Sequence, residues 1–218
     1  MNTMTPTVYI VDDDPAVLDA LALLITAQGM RALTFSSGQS FLDHCQPSEI
    51  GCAVLDIRMP HITGLALQDM MIERGITIPL VFITGHGDVE QCRRAFKNGA
   101  IDFLTKPVDQ MRLVESLRRA IRLSIRQHSQ EVETQEVLSR LARISGRERE
   151  VLEGVAAGLS SKEIARELDL SPRTVEVHRA NLFNKLDVTS LADLIRFYLK
   201  ALEATGMKHN ADDMSNNR

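Results

Sequence analysis

The chain has 218 residues, a net charge of −4 and 44% apolar residues, which suits one or two domains with packed cores. It has no run of about 20 apolar residues, and its first apolar stretch is short and ends in acids, so we expect neither a membrane span nor a signal peptide. The three cysteines lack metal-ligand spacing and are expected to be reduced thiols of a cytoplasmic protein.

The first part of the chain, residues 7–122, alternates strand-like and helix-like segments. Five apolar runs predict strands at residues 8–11, 31–35, 52–55, 80–84 and 102–105. Apolar residues at helical spacing between them predict inward stripes, which include Val89, Cys92, Ala95 and Phe96 in the fourth helix and Met111, Val114, Leu117 and Ile121 in the fifth. Near-continuous apolar strands separated by helices indicate an α/β domain with a five-stranded parallel sheet.

The rest of the chain has no strand signals. Residues 123–143 are polar and helix-compatible and predict a helical linker; whether it is one continuous helix or a short coiled coil stays open. Residues 144–204 predict an all-α domain of four short helices, in which Ser171 caps the third and Pro172 begins it. The second and third of these helices, joined by a short turn, indicate a helix-turn-helix. The tail 205–218 is predicted to be disordered.

Polar side chains follow four of the predicted strands. Asp12 and Asp13 come after the first strand, Asp56 ends the third, Thr84 ends the fourth and Lys106 follows the fifth. Because ligands of parallel α/β sheets bind beyond the carboxyl ends of the strands, we expect these groups to converge. Carboxylate oxygens suit Mg²⁺, Asp56 could attack phosphorus, and the lysine and threonine could stabilise phosphoryl oxygens.

Simpler and rival interpretations exist for the same residues. An aspartate after a strand is usually a turn residue or a helix cap, and Asp14, followed by Pro15, is predicted to be a cap. A Mg²⁺-dependent phosphatase acting through Asp56 would also explain the acids, although such enzymes commonly carry a second acid where this chain has Arg58. A signalling adaptor that binds no DNA is the third interpretation.

The stretches IVDDDP, VLDIRMPHITG, VFITGHGDV and GAIDFLTKP together resemble the receiver domain of two-component response regulators, across residues 7–125. The resemblance implies a flavodoxin-like fold and phosphorylation of Asp56 by a sensor histidine kinase. It also implies a Mg²⁺ (or Mn²⁺) ion bound by Asp13, Asp56 and the backbone carbonyl of Arg58, with Asp12 acting mainly through water.

The same resemblance implies a switch that pairs Thr84 with Phe103. When phosphate draws the threonine inward, space opens for the aromatic ring; ordinary core packing is the alternative for Phe103. The Lys106-Pro107 bond matches a position that is often a cis peptide. Arg58 and His86 are predicted to border the phosphoryl site, where they steer the hydrolytic water or are simply solvated.

The stretch EIARELDLSPRTVEVHRANLFNKL resembles the LuxR-type DNA-binding domain, and its coupling to a receiver resembles the FixJ/NarL class of regulators. The third helix of the domain would then enter the major groove. The residues predicted nearest the base edges are Glu176, Val177, Arg179 and Ala180. Those predicted to contact phosphates are Lys162, Arg173, Thr174, Asn181 and Lys185. For His178, core packing and a phosphate contact are both open interpretations.

The two resemblances together imply a transcription factor controlled by phosphorylation. Its expected partners are a sensor histidine kinase, promoter DNA and a second copy of the chain after phosphorylation, with RNA polymerase as a further candidate. Residues 141–204 carry 10 basic and 10 acidic residues, so DNA binding must rest on a local motif and not on bulk charge. A helical bundle for protein contacts is the alternative for this domain.

Overall fold

The computed structural model describes residues 6–46, 49–85 and 89–206, and the chain divides into two units between Ser129 and Gln130. The first unit contains five strands, β1 (Thr7–Val11), β2 (Arg31–Phe35), β3 (Gly51–Asp56), β4 (Leu80–Thr84) and β5 (Asp102–Thr105). They form one parallel sheet in the order β2-β1-β3-β4-β5. The predicted five-stranded parallel sheet is therefore confirmed, with strand bounds within one residue of the prediction.

Helices cover both faces of this sheet. They are α1 (Pro15–Ala27), α2 (Gly38–His44), α3 (Gly64–Glu73), α4 (Val89–Lys97) and the first part of α5 (Gln110–Leu141). Because successive strand residues point to opposite faces, β1 and β3 supply two separate apolar cores. One contains Tyr9, Val11 and Leu55, and the other contains Val8, Ile10 and Val54.

Three side chains of the predicted inward stripes lie at the surface instead. Val89 is 86% exposed, Phe96 46% and Met111 83%, so their assignment to the core was wrong. Val89 and Met111 are the first and second residues of their helices and lie beyond the layer packed on the sheet. On α4 only Ala95 is fully buried, so this helix contacts the sheet through a narrow stripe.

The stretch predicted to be a linker is largely part of a longer helix. α5 is one continuous helix from Gln110 to Leu141, so the predicted linker is part of a single helix as far as Leu141. Ser124 is buried in the first unit, where its hydroxyl accepts a hydrogen bond of 3.0 Å from the Gly51 backbone N–H. Val137 belongs to the core of the second unit. Residues of the predicted linker therefore contribute to the packing of both units.

The second unit adds four helices, α6 (Gly146–Ala156), α7 (Ser161–Glu167), α8 (Pro172–Leu186) and α9 (Leu191–Thr205). A serine caps each of them, at positions 145, 160, 171 and 190. On α9, Leu194 and Phe197 are buried and Leu199 is 51% exposed. Most of the tail predicted to be disordered, residues 207–218, lies outside the described residues.

The three cysteines form no disulfide. Cys45 and Cys52 are buried, and burial raises the pKa of each thiol to about 12. Cys92, on α4, is half-buried. Two of the three are thus inert core thiols, in line with the expected packing role.

Membrane crossing was also assessed from the helices of the described ranges. None of them combines the length and the apolar character that a bilayer span requires.

Candidate functional site

A lysine bridges two buried carboxylates at the carboxyl edge of the sheet. Lys106 Nζ lies 2.7 Å from Asp12 Oδ2 and 2.9 Å from Asp56 Oδ1. Asp12 is 1% exposed and Asp56 is 5% exposed, whereas the lysine side chain keeps 28% of its surface open. The three groups come from the ends of β1, β3 and β5, so the parallel sheet brings together residues up to 94 positions apart.

Backbone amides fix the remaining oxygens of these carboxylates. The Asp14 N–H donates to Asp12 Oδ1 at 3.0 Å, and the Arg58 N–H donates to Asp56 Oδ2 at 2.6 Å. Hydrogen bonds to an ionised acceptor are short and directional. Each carboxylate is therefore held in one orientation by a backbone donor on one oxygen and the ammonium on the other.

The charge of Lys106 is secured by the same contacts. Burial lowers the pKa of its ammonium, but the hydrogen bonds and charges of Asp12 and Asp56 outweigh burial, so the pKa is raised overall. The lysine therefore carries its positive charge throughout the physiological pH range. A fixed, partly exposed cation beside two carboxylates can neutralise an anion that approaches Asp56.

Thr84 lies at the end of the neighbouring strand and is completely buried. Its backbone carbonyl accepts a hydrogen bond of 2.7 Å from the Lys106 N–H. Phe103 is half-buried, and its ring centroid lies 6.5 Å from that of Phe82, its partner in the β4–β5 register. Because side chains alternate along a strand, Phe82, Thr84 and Phe103 lie on the same face of the sheet.

The side chains of Asp13 and Arg58, which were also predicted at this site, are exposed, and His86 lies outside the described residues. Among the described residues, no three His, Cys, Asp or Glu side chains lie together in a way that could hold a metal ion. Asp14 caps α1 by accepting from the Ala16 N–H at 2.9 Å, as predicted. The Lys106-Pro107 peptide is cis, also as expected.

Gly64 is a part of the site that the sequence analysis missed. A Cβ added at this first residue of α3 would lie 2.2 Å from the Asp56 carbonyl oxygen. Its N–H donates to the Ile57 carbonyl at 3.0 Å, which ties the start of α3 to the end of β3. The glycine in DIRMPHITG was the available signal, but its need for close approach is visible only in three dimensions.

Replacing Gly64 by alanine is expected to destabilise the first unit by about 2 kcal/mol, since the added methyl group must displace backbone atoms of Asp56. Urea unfolding of the full chain would measure the loss. Gly146→Ala is the matched control, because Gly146 is the first residue of α6 and an added Cβ there meets nothing within 4 Å. Equal effects of the two substitutions would contradict the close approach at Asp56.

In the second unit, the predicted DNA-contacting residues lie on α7 and α8. Val177 is 55% exposed, so its methyl groups are open to a partner. The others that are exposed are Lys162, Arg173, Glu176 and Ala180, and those that are half-buried are Thr174, His178, Arg179, Asn181 and Lys185. The His178 Nδ1 atom is buried and has no hydrogen-bond partner within the described part of the chain.

Lys185 has a partner that the sequence analysis did not predict. Its Nζ lies 2.7 Å from Oε2 of Glu148, which is 2% exposed and also accepts from the Ser145 backbone N–H at 2.7 Å. Burial raises the pKa of Glu148, but the bonds from Lys185 and Ser145 outweigh it and lower the pKa overall. The ion pair joins α6 to α8 and gives Lys185 a structural role.

Comparison with known families matches both units. Residues 8–118 match the response regulator receiver domain, and residues 142–198 match the luxR family of bacterial regulatory proteins. The chain belongs to the response regulator family. Its second unit is a LuxR-type helix-turn-helix domain, and the predicted family and fold class are both confirmed.

Several relatives match this chain over most of the length of both proteins. The chain is 42% identical to the transcriptional regulatory protein FixJ of Bradyrhizobium diazoefficiens over 89% of this chain and 95% of that protein. It is 42% identical to the response regulator protein TmoT of Ectopseudomonas mendocina, over 90% of this chain and 89% of that protein. The solved structure of the response regulator StyR matches with a TM-score of 0.86 and 38% identity, over 90% of this chain and 99% of that one. This response regulator is therefore a two-component transcription regulator, as predicted.

Proposed function

We propose that Asp56 accepts a phosphoryl group from a sensor histidine kinase, and that this modification controls homodimer formation and binding to promoter DNA in the cytoplasm. The observation that carries the proposal is the bridge from Lys106 Nζ to Asp12 and Asp56 at the carboxyl edge of the sheet. RNA polymerase is a further candidate partner at the promoter.

The chemistry needs one nucleophile and two groups that offset charge. A carboxylate oxygen of Asp56 forms the new bond to phosphorus while the bond from phosphorus to the imidazole nitrogen of the kinase breaks. The ammonium of Lys106, already within 2.9 Å of Asp56 Oδ1, is close enough to contact a phosphoryl oxygen there. The hydroxyl of Thr84 would donate to another. Arg58, exposed two residues after Asp56, is the proposed guide for the water that later hydrolyses the acyl phosphate.

The residues present fit a Mg²⁺ (or Mn²⁺) ion. Asp12 and Asp56 are buried carboxylates that share a single lysine, so the site keeps net negative charge and hard oxygen donors. Mg²⁺ commonly takes one or two carboxylates and retains several waters, so no cluster of three acids is required. We propose Asp13, Asp56 and the Arg58 carbonyl as ligands, with Asp12 acting through water. The ion would supply positive charge that favours binding of the phosphoryl group.

We propose that α8 enters the major groove with Glu176, Val177, Arg179 and Ala180 facing base edges. Lys162, Arg173, Thr174 and Asn181 are the proposed phosphate contacts. The exposure of Val177 supports this assignment, since a valine methyl group can contact the thymine methyl. The pairing of Lys185 with Glu148 leads us to remove Lys185 from the phosphate contacts.

Phe103→Ala is expected to leave phosphorylation of Asp56 intact and to reduce the phosphorylation-dependent gain in DNA binding about tenfold. The half-buried ring lies on the same face as Thr84, so it can follow the threonine when phosphate moves it. Parallel measurements of labelling and of DNA affinity by gel shift would separate the two effects. Phe103→Tyr keeps the ring and should retain the response; an unchanged response in the alanine variant would refute the switch.

The proposed function is tested by labelling the full chain with a histidine kinase or acetyl phosphate and selecting the genomic DNA fragments it retains. Stoichiometric label, a shift to dimer in light scattering and enrichment of specific fragments are the expected results. Turnover on small phosphoesters would favour the phosphatase interpretation instead. Failure to retain any DNA would favour the adaptor.

A further inference from the structure

A hydrogen bond joins the two helices of the helix-turn-helix. The hydroxyl of Ser161, the first residue of α7, donates to Oε1 of Glu176 on α8. Glu176 is exposed on the helix proposed to read bases, whereas Ser161 is half-buried. The bond thus links a side chain outside the proposed base-reading set to one within it.

Helix caps hold the main chain in place near both Ser161 and Glu176. Ser160 caps α7, and the Ser160 N–H donates at 2.7 Å to Oε2 of Glu163, which completes a reciprocal capping box around Ser161. Glu176 lies on the second turn of α8, after the Ser171 cap. Because neither backbone segment is free to move alone, the hydroxyl restricts the Glu176 side chain to conformers that reach Ser161.

The restriction matters because a carboxylate is repelled by the DNA backbone. A free glutamate on this face would turn away from the phosphates toward solvent. With Oε1 held by Ser161, Oε2 is left to accept a further hydrogen bond. In the major groove, cytosine offers its exocyclic amino group as the donor that matches a carboxylate.

We infer that Ser161 is a positioning residue that holds Glu176 for recognition of cytosine, and so sets the base preference of the operator at that position. The inference rests on the proposed entry of α8 into the major groove. It assigns specificity to a residue of α7 that contacts no base itself.

Selection from randomised DNA by the phosphorylated full chain, followed by sequencing, tests the inference. Ser161→Ala is expected to reduce the preference for cytosine at one operator position about threefold, with an unchanged salt dependence of binding because no phosphate contact is lost. Glu176→Gln is expected to move the preference at the same position toward adenine, because an amide pairs with its N6 and N7 groups. Adding Ser161→Ala to Glu176→Gln should then change the cytosine preference no further.

Ser161→Thr keeps the hydroxyl and is expected to retain the cytosine preference, which separates positioning from a general loss of structure. Ser139→Ala, at an exposed position of α5, serves as a control for the loss of a serine outside α7 and α8. If Ser161→Ala leaves the base profile unchanged while Glu176→Gln alters it, the inference is overturned and the DNA-binding function stands. If the phosphorylated chain without substitutions selects no sequence at all, the proposed function fails as well.

Discussion

Replacing Asp56 by asparagine is expected to abolish phosphorylation of the chain and, with it, the phosphorylation-dependent gain in DNA binding. The amide lacks the nucleophilic oxygen and removes the negative charge paired with Lys106 at 2.9 Å. The measurement is incorporation of labelled phosphate from a kinase or acetyl phosphate, followed by mass spectrometry of the modified peptide. The expected change is from about one label per chain to background.

Asp14→Asn is the matched control for this substitution. Asp14 follows Asp12 and Asp13 in the sequence, but its Oδ1 caps α1, a task that asparagine performs about as well. This variant should accept label at the normal rate. Label that persists in the Asp56→Asn chain, on any other side chain, would contradict the assignment of the phosphoryl acceptor.

Lys185→Met is expected to destabilise the second unit by about 2 kcal/mol or more, because it leaves Glu148 buried without its cation. The cost is below the roughly 3–5 kcal/mol of a fully buried pair, since the lysine side chain is 40% exposed. Native-state hydrogen exchange of peptides from residues 145–205, measured in the full chain, would report the free energy of opening of this unit alone.

Lys200→Met is the control for loss of a lysine from the same unit. Lys200 pairs with Glu133 and both side chains are about half exposed, so the cost should stay under about 1 kcal/mol. If hydrogen exchange in residues 145–205 is the same in Lys185→Met and Lys200→Met, the pair between Lys185 and Glu148 does not stabilise the domain.

Lowering the pH should weaken the ion pair between Glu148 and Lys185 in the chain without substitutions. The pKa of Glu148 is lowered in the folded state. Its contribution to the free energy of unfolding is therefore fully present at pH values above the usual carboxyl pKa. It is lost as the pH falls through the lowered value. Hydrogen exchange at several pH values would show this loss, and it should be smaller in Lys185→Met, which keeps only the bonds from Ser145.

Local patterns predicted the sheet and the cluster of Asp12, Asp56 and Lys106 at its carboxyl edge. The apolar runs predicted the alternation of β and α, and the rule that ligands lie beyond strand ends predicted that these three side chains converge. Helical periodicity was less reliable where a helix extends past the sheet, as it does at Val89 and Met111. There the apolar residue continues the pattern but has nothing to pack against.

Contacts between residues distant in the chain were not predictable in this way. The pairing of Lys185 with Glu148 depends on how α6 crosses α8, and the close approach of Gly64 to Asp56 depends on how α3 leaves β3. The spacing of residues along a single helix or strand predicts neither of these contacts. The bond from Ser161 to Glu176 has the same origin, because only the packing of α7 on α8 brings the two side chains together.

Because the three thiols are buried to different extents, one of them can be labelled in preference to the other two in the chain without substitutions. The thiolate is the form that attacks maleimide and iodoacetamide reagents, so Cys45 and Cys52, which are buried and have pKa values raised to about 12, are shielded from them in the folded protein. Cys92, half-buried on α4, is the least buried of the three thiols. It is therefore the preferred site for a fluorophore or spin label, whose signal could be followed as the phosphoryl group is added and removed.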